Sequence, residues 1–318
     1  AAALWIGHDQ AKAYLQEMDH VLGQVSGPDG ECSAYARATI SRLSPERGQL
    51  LPLAGLLARQ AVRRQPATAR LFAWMFERAG YPEQASAILQ ACPDTPLGSG
   101  RYDDATDTHT LIGFGIDIWD TSDDFHFAYK RLQGNGSITA RVDSVQNVHE
   151  RTKAGVMIRR TLDPDCQNAM MLVTPSGRLS FQYRRKESEF TSALYTPPNS
   201  IPLLHWVRLT RQGNRFSAQH SEDGVTWRDV LDTSDQPAMI EIPMDEMVYI
   251  GLAVTSHDIK KTAEARISQV TTTGNVSPSG PFTESQDIPS QLPPSSHRKW
   301  RNHEQRQYPS GLMRLMVE

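Results

Sequence analysis

The centre of the chain alternates apolar and polar residues, which is the pattern of half-buried β-strands. Side chains on a strand point to opposite faces with a period of two, so one face of such a segment is apolar. Residues 125–130, 138–143 and 179–184 show the alternation most clearly. Each segment needs a second layer of structure to cover its apolar face. The pattern therefore predicts a set of strands between about residues 113 and 273.

Short turn sequences separate the predicted strands. They supply residues that tolerate positive φ angles: Gly134-Asn135-Gly136, Pro175-Ser176-Gly177, Gln212-Gly213-Asn214 and Glu222-Asp223-Gly224. Tight turns of this kind join antiparallel neighbours, and no helical pattern long enough for a parallel crossover lies between them. The sequence therefore predicts an antiparallel β-sandwich or barrel.

Residues 9–92 have a different period, which is typical of helices. Apolar residues recur three and four positions apart, as in Ala11, Tyr14, Leu15, Met18, Val21, Leu22 and Val25. Residues 71–85, in which Gly80 ends one predicted helix and Ala85 packs in the next, resemble a tetratricopeptide turn. Because repeats need neighbours to bury their faces, an irregular helical bundle and a degenerate repeat array both stay open. The expected fold class is therefore mixed α and β, with a helical hairpin bundle in front of the sandwich.

Composition changes on both sides of the predicted sandwich. Residues 93–110 contain Gly98-Ser99-Gly100 and several aspartates, a composition typical of linkers, and residues 274–318 are rich in Pro and Ser. We therefore divide the chain into a helical domain at 1–92, a linker at 93–110, a sandwich at 111–273 and an extended arm at 274–318. The arm is too polar to fold alone, so we expect its large apolar residues to dock onto a partner: Phe282, Trp300, Tyr308, Leu312 and Leu315.

Several motifs in the sandwich region carry a family resemblance. They are Asp117-Ile118-Trp119, Asp123-Asp124-Phe125, 154–159 (AGVMIR), 206–211 (WVRLTR), 221–227 (SEDGVTW) and 249–257 (YIGLAVTSH). In this order they resemble the concanavalin A-like jelly-roll modules, of the laminin G or DUF1349-like kind, of bacterial extracytoplasmic proteins. The resemblance covers about half of the chain. It implies a jelly-roll sandwich and a periplasmic or cell-surface location, while the same fold hosts lectins, glycanases and assembly domains.

Charge and cysteine content remove some classes of partner. The net charge of −3 argues against nucleic acid, because that affinity depends on clustered Lys and Arg. No apolar run approaches the roughly 20 residues that span a bilayer, and the start at Ala1 suits a processed N-terminus. Cys32, Cys92 and Cys166 allow at most one intrachain disulfide. We expect plain thiols, although a bond between Cys32 and Cys92 stays open.

Catalytic and metal-binding patterns are weak. The stretch nearest to the paired glutamates of sandwich glycanases is 241–246, where Pro243 occupies the position of the central aspartate. There is also no Gly-x-Ser-x-Gly elbow. We predict no catalytic residues and no cofactor. Asp117, Asp120 and Asp123 are calcium candidates, since calcium takes several carboxylate oxygens from one loop; a solvated acidic turn is the alternative.

A ligand-binding surface is the remaining chemical possibility. The resemblance to lectin-like sandwiches implies a sugar bound on a sheet face or at loop tips, where aromatic rings stack on sugars and planar polar groups bind hydroxyls. The candidates are Trp119, Arg159, Gln182, Arg184, Trp206 and Arg208. The tryptophans also belong to the motifs of the fold, so ordinary packing is the competing interpretation.

Two functions from different classes follow from the sequence. The first is a non-catalytic structural subunit of a larger extracytoplasmic complex, which could associate with a membrane and would dock through the sandwich and the arm. The alternative is a carbohydrate-binding module at the cell envelope, and a glycoside hydrolase ranks third. The expected partners are therefore other protein subunits or a glycan.

Overall fold

The computed structural model describes residues 97–196 and 204–289, together with the single positions Ala73, Ser86 and Leu89. Fourteen strands lie in these ranges: β1 Ser99–Asp103, β2 Thr108–Gly115, β3 Phe125–Val145, β4 Lys153–Arg159, β5 Asn168–Val173, β6 Leu179–Arg184, β7 Ser192–Thr196, β8 His205–Gln212, β9 Arg215–Ser221, β10 Arg228–Asp229, β11 Ile240–Glu241, β12 Met247–Thr255, β13 Asp258–Ser277 and β14 Ser285–Ile288.

The predicted fold class is wrong for the part of the chain that the structure describes, which is all-β. Ala73, Ser86 and Leu89 have helical backbone, but they are separate positions, and the described ranges contain no helical element. The remainder of the predicted bundle at 1–92 lies outside the described residues, as do Trp300, Tyr308, Leu312 and Leu315. In the described residues, the fold class is therefore the one that the two-residue alternation predicts. No helix that could cross a membrane occurs among the described residues.

All strand pairs are antiparallel, as predicted. The strands form one continuous sheet in the order β1-β2-β13-β3-β12-β4-β5-β6-β7, with β14 and β8 also paired to β3. β9 pairs with β8, and the short strands β10 and β11 pair with β9. The turns at 175–177, 212–214 and 222–224 each lie between strands, as their sequences indicate.

Strand β3 bends the sheet into two layers. Its first part pairs with β12, from His126 to Gln133, and its second part pairs with β8, from Gly136 to Val142. We expected a hairpin turn at Gly134-Asn135-Gly136, but the strand continues through it and changes partners there. Gly134 has a φ of +73°, and a Cβ on Gly136 would lie 2.5 Å from the Thr273 carbonyl oxygen. Glycine therefore permits the bend at this point.

The two layers enclose one apolar core, so the sheet is a β-sandwich. Layer A consists of β14, the first part of β3, β12 and β4 to β7; layer B consists of β1, β2, β13, the second part of β3 and β8 to β11. Val156 and Ile158 from layer A and Val207 and Leu209 from layer B are fully buried in the same cluster. Each such side chain contributes about 1.5–3 kcal/mol of burial free energy. The described fold is an antiparallel sandwich of the jelly-roll type.

The sheet extends beyond residues 111–273 at both ends. β1 lies in the predicted linker and β14 lies in the predicted arm, within a compact unit that spans Asp94–Ser290. Phe282, predicted to dock onto a partner, is only 4% exposed and packs in the core of its own chain. Its backbone N–H donates to His109 Nε2 at 3.1 Å. The composition of the arm did not predict these contacts, because a few apolar side chains are enough to hold a polar segment against an existing sheet.

Candidate functional site

A row of polar side chains crosses four strands on the outer face of layer B. Thr139 of β3 is the direct neighbour of Arg208 of β8, which is in register with Gln219 of β9. Gln219 is in turn opposite Asp229 of β10. Val207 and Leu209 point into the core, so the alternation directs Arg208 outward. We call Thr139, Arg208, Gln219 and Asp229 the polar row.

Hydrogen bonds hold the polar row in one arrangement. Arg208 Nε donates to Thr139 Oγ1 at 3.0 Å, and its Nη1 donates to Gln219 Oε1 at 3.2 Å. Gln219 Nε2 then donates to Asp229 Oδ1 at 2.9 Å. Partial burial lowers the pKa of Arg208 from its ordinary value, yet a guanidinium keeps its charge at neutral pH. The row therefore presents a fixed cation and a fixed carboxylate, which Gln219 separates.

Two half-exposed tryptophans adjoin the polar row. The Trp227 ring lies against the guanidinium of Arg208, with 3.6 Å between the ring centroid and Cζ. Trp206 precedes Arg208 by one outward position on β8. The turn that precedes Trp227 in the sequence packs on the indole of Trp206. A Cβ on Gly224 would lie 2.7 Å from Trp206 Cε2, so only glycine fits this contact. We call Trp206 and Trp227 the tryptophan pair.

The turn that carries Gly224 is held by Asp223. Its carboxylate accepts hydrogen bonds from the backbone N–H groups of Thr226 at 2.7 Å and Val225 at 2.8 Å, and from the Ser221 hydroxyl at 2.9 Å. These bonds, those from the backbone first, hold the pKa of Asp223 well below its usual range. The turn therefore fixes the tryptophan pair relative to the sheet.

Arg159 and Arg184, two of the predicted ligand-binding residues, make internal contacts. Both guanidinium groups are fully buried near Asp123. Arg184 Nη2 lies 2.7 Å from Asp123 Oδ1, and Arg159 Nη1 lies 3.6 Å from Asp123 Oδ2. The other Arg184 donors bind carbonyl oxygens of nearby loops, including Pro164 at 3.2 Å. Arg159 Nη2 likewise lies 3.2 Å from the buried free thiol of Cys166.

Gln182 and Trp119 also lie on the layer A side, away from the polar row. Gln182 is 4% exposed, beside Met170 of β5, and its Oε1 has no hydrogen-bond partner among the described residues. Trp119 is half-buried in the loop after β2, where its carbonyl oxygen accepts a hydrogen bond from Arg184 at 3.2 Å. Of the six predicted ligand-binding residues, Trp206 and Arg208 lie together on the outer face of layer B. Arg159, Arg184 and the Trp119 carbonyl oxygen meet instead in the buried cluster around Asp123.

The acidic loop does not gather its carboxylates as a calcium site. Asp117 Oδ1 is paired with Lys153 Nζ at 2.5 Å, and its Oδ2 lies 3.1 Å from His257 Nδ1. Burial opposes the charge of Asp117, but Lys153 and His257 outweigh it and hold its pKa well below the usual range. Asp123 is neutralised by Arg184, while the Asp120 carbonyl oxygen accepts from the same residue at 3.2 Å. The described residues include no group of three or more side chains arranged to hold a metal ion.

The sequence did not point to Thr139, Gln219 or Asp229. Each is an ordinary polar residue at an outward strand position, and the row exists only because β3, β8, β9 and β10 pair in the observed register. The one available signal was the turn at 222–224, which pairs β9 with the residues after it.

No protein-family model matches the sequence, and no curated protein matches it. Solved structures with a similar course of the chain include a protein of unknown function from Saccharomyces cerevisiae, at 15% identity over 56% of this chain and 92% of that one, with a TM-score of 0.44. The carbohydrate binding module CBM66 from Bacillus subtilis matches at 11% identity over 55% of this chain and 91% of that one, with a TM-score of 0.32. A xylan beta-1,4-xylosidase from Bacillus halodurans matches at 13% identity, with a TM-score of 0.35. The match covers 51% of this chain and 32% of the enzyme. None of these values assigns the chain to a family.

Proposed function

We propose that this protein is a non-catalytic carbohydrate-binding module whose glycan site is the polar row with the tryptophan pair. The observation that carries the proposal is the arrangement of Arg208, whose Cζ lies 3.6 Å from the Trp227 ring centroid and whose guanidinium is fixed by Thr139 and Gln219. Planar groups of this kind bind neighbouring sugar hydroxyls, and half-exposed aromatic rings pack on the apolar faces of sugar rings.

The polar row keeps hydrogen-bonding capacity for a ligand. A guanidinium has five N–H donors, and the bonds of Arg208 to Thr139 and Gln219 use two of them. Asp229 is exposed, and Gln219 donates to its Oδ1. Because these groups are already ordered, a ligand that binds them loses little additional side-chain entropy in the protein.

The charges around the site favour a neutral glycan. Arg141, which is in register with Trp206, has its Nε 2.6 Å from Asp143 Oδ1. Arg228 Nη1 lies 3.8 Å from Glu222 Oε1 at the other side of the site. Arg141 and Arg228 therefore each have a carboxylate nearby, and Asp229 balances Arg208 across Gln219, so a sugar without charged groups meets no net charge.

The test is binding of the intact chain to an array of neutral and acidic glycans, followed by calorimetry on the best ligand. Arg208→Ala removes the central donor, and losing one to three hydrogen bonds of about 1 kcal/mol each weakens binding by about 5- to 150-fold. Arg101→Ala, at an exposed arginine of β1, is the matched control and leaves affinity unchanged. Equal affinity of the Arg208→Ala variant and the native protein refutes the assignment of the site.

The assembly role, the protein partners and the extracytoplasmic location stay predictions from the sequence. The arm contributes less to the assembly hypothesis than expected, because β14 and Phe282 belong to the sandwich of their own chain. Absence of glycan binding, together with retention of a protein partner on purification, would favour the assembly role.

A further inference from the structure

Two buried histidines lie directly behind the tryptophan pair. His205 of β8 is 1% exposed and His220 of β9 is 4% exposed. His205 Nε2 lies 3.1 Å from His220 Nδ1, and the rings are stacked with 27° between their planes. One proton between the two nitrogens completes this hydrogen bond, so the pair fits the interior in its neutral form.

The surroundings of the pair oppose a positive charge. Val142, the register partner of His205, and Val207, the register partner of His220, are fully buried. The charged groups that act on the rings are Arg228 of β10 and Glu222 of the turn after β9. Burial, then the partner ring, then Arg228 lower the pKa of His205 to about 4. Burial and Arg228 also lower the pKa of His220, against the opposite effect of Glu222.

Both histidines connect to the proposed glycan site through the backbone. His205 precedes Trp206, and His220 precedes Ser221, whose hydroxyl accepts the Gly224 N–H at 2.9 Å. Gly224 in turn packs on the Trp206 indole. Adjacent residues of a strand face opposite sides of the sheet, so the inner pair and the outer site share the same short segments of β8 and β9.

We propose that the His205–His220 pair is an acid-sensitive latch that holds β8, β9 and the Asp223 turn in the binding arrangement and opens them when it is protonated. A second proton on the pair places two N–H donors against each other, and any added charge lies beside apolar core. Opening exposes the rings to water, where the charge is solvated. Loss of the β8–β9 arrangement separates Arg208 from Gln219 and releases the ligand.

The direction of the pH effect follows from proton linkage. The closed state binds protons more weakly than an exposed histidine with a pKa near 6.5, so acid favours the open state. The latch is fully closed above about pH 6.5, and its stability falls as the pH decreases toward 4. For His205 alone, a closed-state pKa of about 4 gives an opening constant about 30-fold larger at pH 5 than at pH 8.

Hydrogen exchange of the intact chain without ligand tests the latch. After correction for the intrinsic exchange rate, amides of β8 and β9 should show opening constants about 30-fold larger at pH 5 than at pH 8, while amides of β5 and β6 change much less. His205→Gln, which hydrogen-bonds without titrating, should remove the contribution of His205 to this response. The matched control is His109→Gln: burial also lowers the pKa of His109 to about 4, but this residue lies on β2, so the β8–β9 response should persist.

Several results would overturn the latch. One is an unchanged β8–β9 response in His205→Gln, and another is equal protection of these strands at pH 5 and pH 8. If the variant does not fold, the ring resonances of the native protein decide, because titration of both histidines near pH 6.5 excludes the latch. The regulatory meaning rests on the proposed function, but this exchange experiment contains no glycan, so failure of glycan binding and failure of the latch are distinguishable.

Discussion

Replacing Arg184 with alanine should destabilise the sandwich strongly. Arg184 makes a two-point ion pair with Asp123, with distances of 2.7 and 3.1 Å, and all three of its guanidinium nitrogens donate hydrogen bonds. The variant leaves a buried carboxylate with Arg159 at 3.6 Å as its nearest cation. It also leaves the carbonyl oxygens of Trp119 and Pro164 without this donor. Removing one partner of a buried ion pair costs about 3–5 kcal/mol.

Urea unfolding followed by circular dichroism measures this loss as a change in the free energy of unfolding. Arg185→Ala is the matched control, because Arg185 is the next residue, is exposed and has its Cζ 4.9 Å from the Tyr183 ring centroid. We expect it to cost no more than about 1 kcal/mol. A loss below about 1 kcal/mol for Arg184→Ala would refute the structural role. Reduced glycan affinity at unchanged stability would instead restore the assignment made from the sequence.

Two further predictions concern the site. Trp227→Ala should cost about 1–2 kcal/mol in unfolding free energy, because the ring is half-exposed and contacts the Arg208 guanidinium, with 3.6 Å from its centroid to Cζ. A cost near that of Val225→Ala, at a side chain 81% exposed, would contradict the contact, and a cost of about 3–5 kcal/mol would mean a true core position. Gly224→Ala should cost more unfolding free energy than Gly213→Ala in the same assay. Both glycines have positive φ, at +75° and +62°, but an added Cβ meets an indole only at Gly224. We expect a loss of about 1 kcal/mol at Gly213 from backbone strain and at least twice that at Gly224, and equal losses would show that the indole moves aside.

The strands were predictable because alternation and turn chemistry act locally. Residues 179–184 alternate as a half-buried strand should, and β6 occupies these positions. The same alternation placed Arg184 on the face away from the core, which is correct, but it carries no information about loops that cover this face. The burial of Arg184 under the loops around Asp123 and Pro164 therefore had no local signal. Alternation predicts which side of a sheet a residue faces, and only the tertiary fold determines whether that side meets solvent.

The sequence did not predict the polar row or the bend of β3, for a related reason. Gly134 has the same chemistry in a hairpin and in a bent strand, so its sequence does not distinguish the two. Arg208 was identifiable as an outward residue, whereas its bond to Gln219 depends on the register between β8 and β9. Such contacts depend on how the strands pair in the complete fold, so the local sequence pattern does not predict them.

The sharing of β3 between both layers sets the order in which the sandwich can be completed during synthesis. β3 is synthesised well before β12, β13 and β14, which pair with it. Until they emerge, the first part of β3 has unpaired edges that carry Phe125, Phe127 and Tyr129, and exposed apolar edges of this kind promote aggregation. Pairings so far apart along the chain also form slowly. A nascent chain therefore has to keep β3 from other chains until nearly the whole domain has been translated, and truncation before β13 should yield insoluble protein rather than a smaller sandwich.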